Sequence, residues 1–434
     1  MKKLTLITAI LITANLLFAQ YNKIDTSFYS EALNDTMLDD VYFPPGYDDN
    51  PDWYYPVIYY LHGWTDDQNS LSEMLSTTQT LINNGTIDPL IMVCADNSPD
   101  PFYGSWYVNS IIWGNYEEYM VNDLVTWVES SFRAMPHRNW RSLLGQSMGG
   151  YGSFRYGILH KDKFRVLAAH ATAPINMRDP YYMDETRQVI LQENQPGPSY
   201  FYDFYSTGIY TQGAFAICGA FTPDTNSPQT YINPQIVEFC LDENGNYIDT
   251  VLAKADTHNI AHLIHQLSSS DSVGIYFGCG SNDALFLYPA HLAMKDTLDA
   301  LNLPYEFYSH NGGHSMPFAF KQRALIFIDS LLMSPDSNTT IIPISESKDL
   351  FNLKNYPNPF NNNITIQFEL TESSSIELSI WNHLGQQVGL LFTGNKRAGR
   401  HQVIFDASTL PDGIFFCQLR VGNKMVTKKI IKVK

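Results

Sequence analysis

The sequence predicts a doubly wound α/β fold with a mostly parallel sheet, followed by a small all-β sandwich. Short, nearly continuous apolar runs end in polar loops and alternate with amphipathic helical segments over most of the chain. Such runs are typical of strands that are buried on both faces of a parallel sheet. From residue 364 onward the apolar residues alternate with polar ones, and this period of two is typical of antiparallel strands.

The elements of the α/β part follow one another in βαβ order. After an opening of short strands over residues 21–42, strands are predicted at residues 55–61, 90–94, 141–144, 165–170, 273–279 and 305–308. Helices are predicted at residues 116–132, 152–160, 288–301 and 317–333.

Residues 180–269 interrupt this alternation. They are rich in Tyr, Phe, Pro and Asn and carry few strand signals, so we expect a mostly helical excursion that partly covers a substrate site. The α/β domain is expected to span residues 20–335, a linker residues 336–355, and the β-sandwich residues 356–434.

The N-terminus has the pattern of a secretory signal peptide over residues 1–19. Lys2 and Lys3 give a positive start, an apolar stretch follows as far as Phe18, and Ala19 precedes the expected cleavage site. No later segment is long and apolar enough to predict a membrane span in the mature protein. We therefore expect export through the periplasm and a secreted or cell-surface location.

The composition argues against several kinds of partner. The formal net charge of −17 makes nucleic acid an unexpected partner, because phosphate binding needs a basic surface. The five cysteines form neither a disulfide framework nor a zinc ribbon, although Cys218 and Cys240 could pair in an oxidising compartment. On one helix His258, His262 and His265 would share a face, but no carboxylate motif accompanies them, so no metal site is predicted.

The motif Gly145-Gln146-Ser147-Met148-Gly149 follows an apolar run directly and precedes a helix-compatible segment. This G-x-S-x-G order is typical of a nucleophile elbow, a sharp strand-to-helix turn that exposes a serine hydroxyl above the end of a sheet. Glycines are needed at both ends of the motif because strand and helix approach closely there. An ordinary glycine-rich turn is the alternative, and only further residues in the right order favour catalysis.

An acidic residue for a catalytic triad is expected after a later strand. Asp283 follows the apolar run 273–279 in a polar loop. Asp296 and Asp299 are the alternatives, but both fall inside a predicted helix. Asp283 would hold a histidine ring in one tautomer and stabilise its charged form.

A general base is expected last in the chain. His314 lies in a glycine-rich loop after the final predicted strand, with His310 as the runner-up and His291 on a helix. His314 would take the proton of Ser147 near neutral pH and later protonate the leaving group.

Acyl transfer also needs donors for the developing oxyanion. The N–H of Met148 follows the nucleophile directly, and the N–H of Trp64 lies in the turn after an early strand. Trp106, Tyr107 and Trp113 could line an aryl or sugar cleft, and ordinary core packing is the alternative for all three.

Four segments of the chain carry a resemblance to a known family. They are Leu61-His62-Gly63, the elbow motif, Gly280-Ser281-Asn282-Asp283 and Gly312-Gly313-His314. Together they resemble the esterase D / feruloyl esterase / antigen 85 family over about residues 40–333. The resemblance implies an α/β-hydrolase fold, no cofactor, and an acyl-enzyme mechanism with Ser147, Asp283 and His314 as the triad. Gln146 stands where many members of that family have His.

The tail carries a second resemblance in three short segments. They are residues 355–360 (NYPNPF), 380–386 (IWNHLGQ) and 410–416 (LPDGIFF). Together they are similar to the C-terminal sorting domain of the type IX secretion system, over residues 356–434. The resemblance implies that the type IX machinery is a partner and that the tail is removed or used for surface attachment. A carbohydrate-binding or adhesive sandwich is the alternative.

The sequence therefore predicts a secreted serine esterase that hydrolyses carboxylic esters through an acyl-enzyme. The expected substrates are acetyl or feruloyl esters of polysaccharides, or small acyl esters. Two alternatives stay open. The first is an acyltransferase to a sugar acceptor, since the same triad serves both reactions. The second is a non-catalytic surface or carbohydrate-binding protein.

Overall fold

The structure is a computed structural model that describes residues 22–51, 53–194, 199–332, 351, 353–370, 373–382, 386–421 and 424–433. These residues form two compact units. The larger unit ends near residue 334, and the smaller contains the C-terminal residues together with the short stretch Asn50–Tyr54. The expected signal peptide and most of the expected linker lie outside the described residues.

A mixed sheet with the strand order β1-β2-β4-β3-β5-β6-β9-β10 runs through the larger unit. Its described strands are, in chain order, β1 (Asn22–Ser30), β2 (Asp35–Phe43), β3 (Val57–Leu61), β4 (Ile91–Ala95), β5 (Arg141–Gln146), β6 (Val166–His170), β7 (Tyr200–Phe201), β8 (Ile232–Asn233), β9 (Gly274–Gly280) and β10 (Glu306–His310). The short strands β7 and β8 pair in a separate sheet. β1 and β2 are antiparallel to their neighbours, whereas all pairs from β4 to β10 in the large sheet are parallel.

Helices connect these strands and cover both faces of the sheet. The described helices are α1 (Ser72–Asn83), α2 (Tyr116–Glu118), α3 (Val125–Ser131), α4 (Met148–Leu159), α5 (Pro180–Glu193), α6 (Ile209–Phe221), α7 (Asp249–Ala255), α8 (Ile260–Leu263), α9 (Tyr288–Ala300) and α10 (Phe318–Leu332). The helix predicted at 116–132 is one continuous helical stretch whose middle, Tyr119–Leu124, forms wider π-helical turns between α2 and α3. None of the helices in the described residues has both the length and the apolar character that crossing a bilayer requires.

Burial explains why the strand pattern in the sequence is continuous. Every residue of β3, β4, β6 and β9 is buried. Tyr59 and Leu61 of β3 belong to the hydrophobic core on one face of the sheet, whereas Ile58 and Tyr60 belong to the core on the other. Both faces must therefore be apolar, and the predicted doubly wound α/β fold is confirmed.

The smaller unit is built from antiparallel strands. They are β11 (Lys354–Tyr356), β12 (Asn363–Leu370), β13 (Ser374–Asn382), β14 (Gln387–Lys396), β15 (Gly399–Asp406), β16 (Gly413–Val421) and β17 (Lys424–Lys432). They form two sheets, β11-β12-β15 and β14-β13-β16-β17. Ile364 and Phe368 of β12 share one core with Ile376 and Leu378 of β13. The alternating apolar residues of the two sheets thus face each other, which confirms the predicted all-β sandwich.

Candidate active site

Ser147 forms the turn between β5 and α4. Its φ of 57° and ψ of −119° lie in a region that side-chain-bearing residues rarely occupy. The N–H of Ser147 donates to the carbonyl of His170 in the neighbouring strand (2.9 Å), and its own carbonyl accepts from the N–H of Ala173 (3.2 Å). These bonds hold the strained residue in place. The strand, turn and helix required by a nucleophile elbow are therefore present.

Two glycines beside Ser147 have no room for a side chain. A Cβ on Gly149 would lie 1.8 Å from the carbonyl oxygen of Leu61, and a Cβ on Gly145 would lie 2.2 Å from the carbonyl oxygen of Gly149. The first turn of α4 thus packs directly on the backbone of β3 and β5, which is the steric reason for the spacing of the motif.

Asp283 and His314 are in direct contact. The Nδ1 of His314 lies 2.8 Å from Oδ2 of Asp283, whose side chain is fully buried, and Oδ1 of Asp283 accepts the N–H of Leu285 at 2.8 Å. Burial alone would raise the pKa of Asp283, but the hydrogen bond and charge of His314 outweigh it and leave that pKa below its ordinary value. The ionised carboxylate can therefore orient the ring. Asp296 and Asp299 instead lie on the exposed side of α9.

The two alternative histidines have other partners. The Nε2 of His310 lies 3.0 Å from Nε2 of His170. His291 is fully buried, and its Nε2 accepts the N–H of Thr172 at 3.0 Å. His314 is thus the histidine that the structure places on Asp283.

Gln146 links the serine turn to the loop that carries His314. Its Nε2 donates to the carbonyl of His314 at 3.1 Å, and its Oε1 accepts the N–H of Met316 at 3.1 Å. Because Gln146 directly precedes Ser147, one side chain ties the two segments together at the carboxyl edge of the sheet. Only an indirect signal of this role was present in the sequence, namely an amide where many members of the similar family have His.

The turn after β3 approaches Ser147 closely. A Cβ on Gly63 would lie 3.9 Å from the Cβ of Ser147. The buried ring of His62 accepts the N–H of Asn97 through Nε2 and faces the carbonyl of Gly63 through Nδ1, both at 2.8 Å. Burial lowers the pKa of His62, so the ring is neutral and Nδ1–H donates. That carbonyl shares a peptide group with the N–H of Trp64, and the bond therefore fixes the direction of this candidate oxyanion donor.

The second candidate donor opens α4. The N–H of Met148 belongs to the first helical turn, whose N–H groups have no partner within the helix. A Cβ on Gly104 would lie 2.8 Å from Sδ of Met148 and 2.6 Å from Cδ1 of Trp64. The loop around Gly104 thus packs over both residues that carry the candidate donors.

A cavity of about 160 Å³ opens beside Ser147. Trp106 lines it, together with side chains from α5, α6 and α7. Tyr107 is fully buried and donates its hydroxyl hydrogen to the carbonyl of His62 at 3.0 Å, and Trp113 donates its indole N–H to a backbone carbonyl of its own loop. Neither Tyr107 nor Trp113 lines the cavity, so packing is the role that the structure gives them.

Two of the cysteines also line this cavity. Cys218 and Cys240 are present as free thiols, and a hydrogen bond from the Cys240 side chain lowers the pKa of Cys218. The disulfide considered from the sequence is therefore not formed, although the two thiols are in contact.

The three spaced histidines do not share a helix. His258 ends one short 3₁₀ turn, His262 lies in α8, and His265 lies in the next 3₁₀ turn. Within the described part of the chain, no group of three or more His, Cys, Asp or Glu side chains is arranged to hold a metal ion.

The order of the large sheet, with a strained serine between β5 and α4, defines the larger unit as an α/β-hydrolase. Residues 30–315 match the model of the Esterase family, described as "Putative esterase", and the chain belongs to that family. Residues 354–434 match the model of the secretion system C-terminal sorting domain. Both resemblances inferred from the sequence are thereby confirmed.

Individual relatives are similar over shorter stretches. An esterase of Mycobacterium tuberculosis is 28% identical over 128 residues, which cover 29% of this chain and 26% of that protein. An endo-1,4-beta-xylanase/feruloyl esterase of Xylanibacter ruminicola is 25% identical over 164 residues, covering 36% of this chain and 22% of that protein. The chain thus spans about a quarter of the length of these relatives. The solved structure of a ferulic acid esterase shares the fold, with a TM-score of 0.51 and 18% identity over 72% of this chain and 99% of that chain.

Proposed function

We propose that the protein is an exported serine esterase that hydrolyses carboxylic esters through an acyl-enzyme on Ser147. The observation that carries the proposal is the contact between His314 and the buried carboxylate of Asp283, in a loop that Gln146 ties to the serine turn. A serine, an acid and a histidine base in this chain order are what an elbow enzyme requires. Membership of the Esterase family supports the same reaction class.

The residues have the following roles in the proposed reaction. The Oγ of Ser147 attacks the acyl carbonyl carbon while Nε2 of His314 takes the hydroxyl proton, and Asp283 stabilises the resulting imidazolium. The oxyanion accepts hydrogen bonds from the N–H groups of Met148 and Trp64. The bond from the acyl carbon to the alcohol oxygen then breaks, and His314 gives its proton to the leaving alcohol. In the second half of the reaction, water attacks the acyl-enzyme while His314 takes its proton. His314 then returns that proton to Ser147 Oγ as the ester bond to the enzyme breaks, and the acid is released.

Export is proposed from the C-terminal unit. Residues 354–434 match a secretion sorting domain, and the N-terminal residues have the pattern of a signal peptide. We assign the type IX secretion machinery as the partner of this unit, and a secreted or cell-surface location to the enzyme. The names of two compared proteins include feruloyl or ferulic acid esterase, which keeps acyl esters of polysaccharides among the candidate substrates.

Substitution of the proposed nucleophile tests the reaction. Ser147→Ala should lower kcat for p-nitrophenyl acetate by at least about 10³-fold, because the substitution removes the attacking hydroxyl. Ser130→Ala is the matched control, since Ser130 is an exposed serine whose hydroxyl donates to the carbonyl of Trp127 at 3.0 Å. Mass spectrometry should locate an acyl adduct on the peptide that contains Ser147. Unchanged turnover in Ser147→Ala would refute the proposal, and product analysis with a sugar acceptor would separate hydrolysis from acyl transfer.

A further inference from the structure

The cavity beside Ser147 has an almost entirely apolar wall. Besides aromatic rings, its lining includes aliphatic side chains from the loop after β6 and from α5, α6 and α7: Met177, Ile190, Ile209, Ile217, Val251 and Leu252. No Asp, Glu, Lys, Arg or His is among the described residues that line it. A ligand group that enters the cavity therefore meets hydrocarbon rather than charge.

The polar atoms of the wall are mostly committed to the protein itself. The indole N–H of Trp106 donates to Ala173 at 2.9 Å, the hydroxyl of Thr222 donates to Glu238 at 2.8 Å, and the hydroxyl of Tyr247 donates to Met183 at 2.8 Å, in each case to the backbone carbonyl. A polar substituent placed against these groups would lose its water without gaining a hydrogen bond.

Besides that of Ser147, three further hydroxyls line the wall, and the hydroxyl of Thr186 donates to the carbonyl of Tyr182 at 2.5 Å. The hydroxyl of Tyr210 donates to the carbonyl of Ala284. Tyr182 differs, because the hydrogen bonds of the described residues include none for its hydroxyl. Tyr182 is therefore the side chain through which a polar acyl group would have to be recognised, and it provides a direct test.

The volume sets the length of the acyl group. An engineered apolar cavity of about 150 Å³ accommodates one benzene molecule, a body of six carbons. The cavity here has about the same volume, 160 Å³. An acetyl group would leave it largely empty, whereas a feruloyl group would bring a phenol and a methoxy oxygen into an apolar wall.

We propose that this cavity is the acyl-binding site and that it selects an unsubstituted aliphatic acyl chain of about six to eight carbons. The proposal rests on the proposed function, because the chain enters the cavity when Ser147 attacks its carbonyl carbon. The alcohol leaves with the proton from His314, outside the cavity, so the specificity lies on the acyl side of the ester.

A series of p-nitrophenyl esters tests the inference. We expect kcat/KM to rise by at least about tenfold from acetate to hexanoate or octanoate and to fall again at dodecanoate, because each buried methylene contributes until the cavity is full. Methyl ferulate should be hydrolysed more slowly than methyl octanoate. Tyr182→Phe should leave this order unchanged. A preference for ferulate that disappears in Tyr182→Phe would overturn the inference.

Variants of α7 locate the preference in the cavity. Ala255 lines the cavity and Ala253, two residues earlier, is exposed on the same helix. Ala255→Phe should lower the ratio of kcat/KM for octanoate over acetate by about tenfold, whereas Ala253→Phe should not change it. Leu252→Ala enlarges the same wall and should move the preferred chain to a greater length, which provides a second test if Ala255→Phe does not fold.

The outcomes separate this inference from the proposed function. If esters of every chain length are inert and Ser147 takes up no acyl group, the proposed function fails. If acetate or ferulate is the best substrate, with a turnover that requires Ser147, or if Ala255→Phe and Leu252→Ala leave the chain-length profile unchanged, only the acyl-chain inference fails.

Discussion

The sheet edge that carries Ser147 and the wall of the adjoining cavity are built in different ways. The edge is the carboxyl end of β3 and β5, where the first turn of α4 begins. Backbone packs directly on backbone there, and a Cβ on Gly149 would lie 1.8 Å from the carbonyl oxygen of Leu61. The wall is instead formed by side chains of separate helices, such as Ile190 of α5 and Val251 of α7. A Cβ on Gly213, which also lines the cavity, would have its nearest neighbour at 3.7 Å, an ordinary contact distance.

This difference in packing indicates which of the two regions can tolerate substitutions. Backbone contacts fix the position of the nucleophile and leave no freedom to the residues that make them. Side-chain packing tolerates replacements of similar volume, so the wall can be reshaped without moving the reacting atoms. If the proposed function is right, the reaction class depends on the edge and the choice of acyl group depends on the wall.

The largest effect is expected from adding one methyl group at the edge. Gly149→Ala forces the backbones of α4 and β3 apart and should destabilise the protein by about 4 kcal/mol or more, with loss of esterase activity. Gly213→Ala adds the same methyl group in the wall, where there is room, and should stabilise α6 by about 0.5–1 kcal/mol. Urea unfolding of both variants measures the comparison. Equal stabilities would show that the edge is not the tighter region.

A smaller effect on stability, but a large one on rate, is expected at Asp283. Asp283→Asn should lower kcat for p-nitrophenyl acetate by about 10³–10⁴-fold, because the amide no longer stabilises the His314 imidazolium. Folding lowers the pKa of Asp283, so the ionised carboxylate stabilises the folded protein at pH values above its unfolded pKa of about 4. This stabilisation is lost as the pH falls through the lower pKa of the folded state.

Thermal unfolding of this variant provides the pH test. The wild-type protein should be more stable than Asp283→Asn at pH 7, and the difference should shrink as the pH falls below about 4. Asp296→Asn, at an exposed position of α9, is the control and should change neither the rate nor the pH dependence. A difference that stays constant down to pH 2 would contradict an ionised Asp283.

The smallest effect is expected from trimming the wall. Ile190→Val removes one buried methylene from α5 and should destabilise the protein by about 1 kcal/mol. The same urea titration measures it. A loss as large as that of Gly149→Ala would mean that the wall is as tightly constrained as the edge.

The candidate residues of the edge could be proposed from the sequence because they follow a simple order. Ser147, Asp283 and His314 each follow a strand, and the carboxyl ends of parallel strands meet at one side of a sheet. The contact between His314 and Asp283 agrees with that order. The all-β fold of the tail could also be predicted from the sequence, since alternation of apolar and polar residues indicates strands with one buried face.

Residues 180–269 were expected to cover a substrate site, but the side chains that line the cavity could not be predicted in the same way. Its wall comes from helices between residues 180 and 255 whose apolar side chains would equally suit an ordinary core. Adjacent residues in one loop can also have different surroundings: Trp106 lines the cavity, whereas Tyr107 is fully buried and does not line it. Helix α1 was missed because Ser and Thr make up much of Ser72–Asn83, and these residues favour turns and caps over helix interiors.

The amide of Gln146 has a consequence for how the enzyme responds to acidity. In the proposed reaction His314 gains and loses a proton in every turnover, and the loop that carries it is held by a side chain that cannot titrate. A histidine at position 146 would change its donors and acceptors when it gained or lost a proton. Glutamine keeps the same donor and acceptor whether His314 is neutral or charged. Its two hydrogen bonds to the loop therefore do not depend on the protonation state of His314.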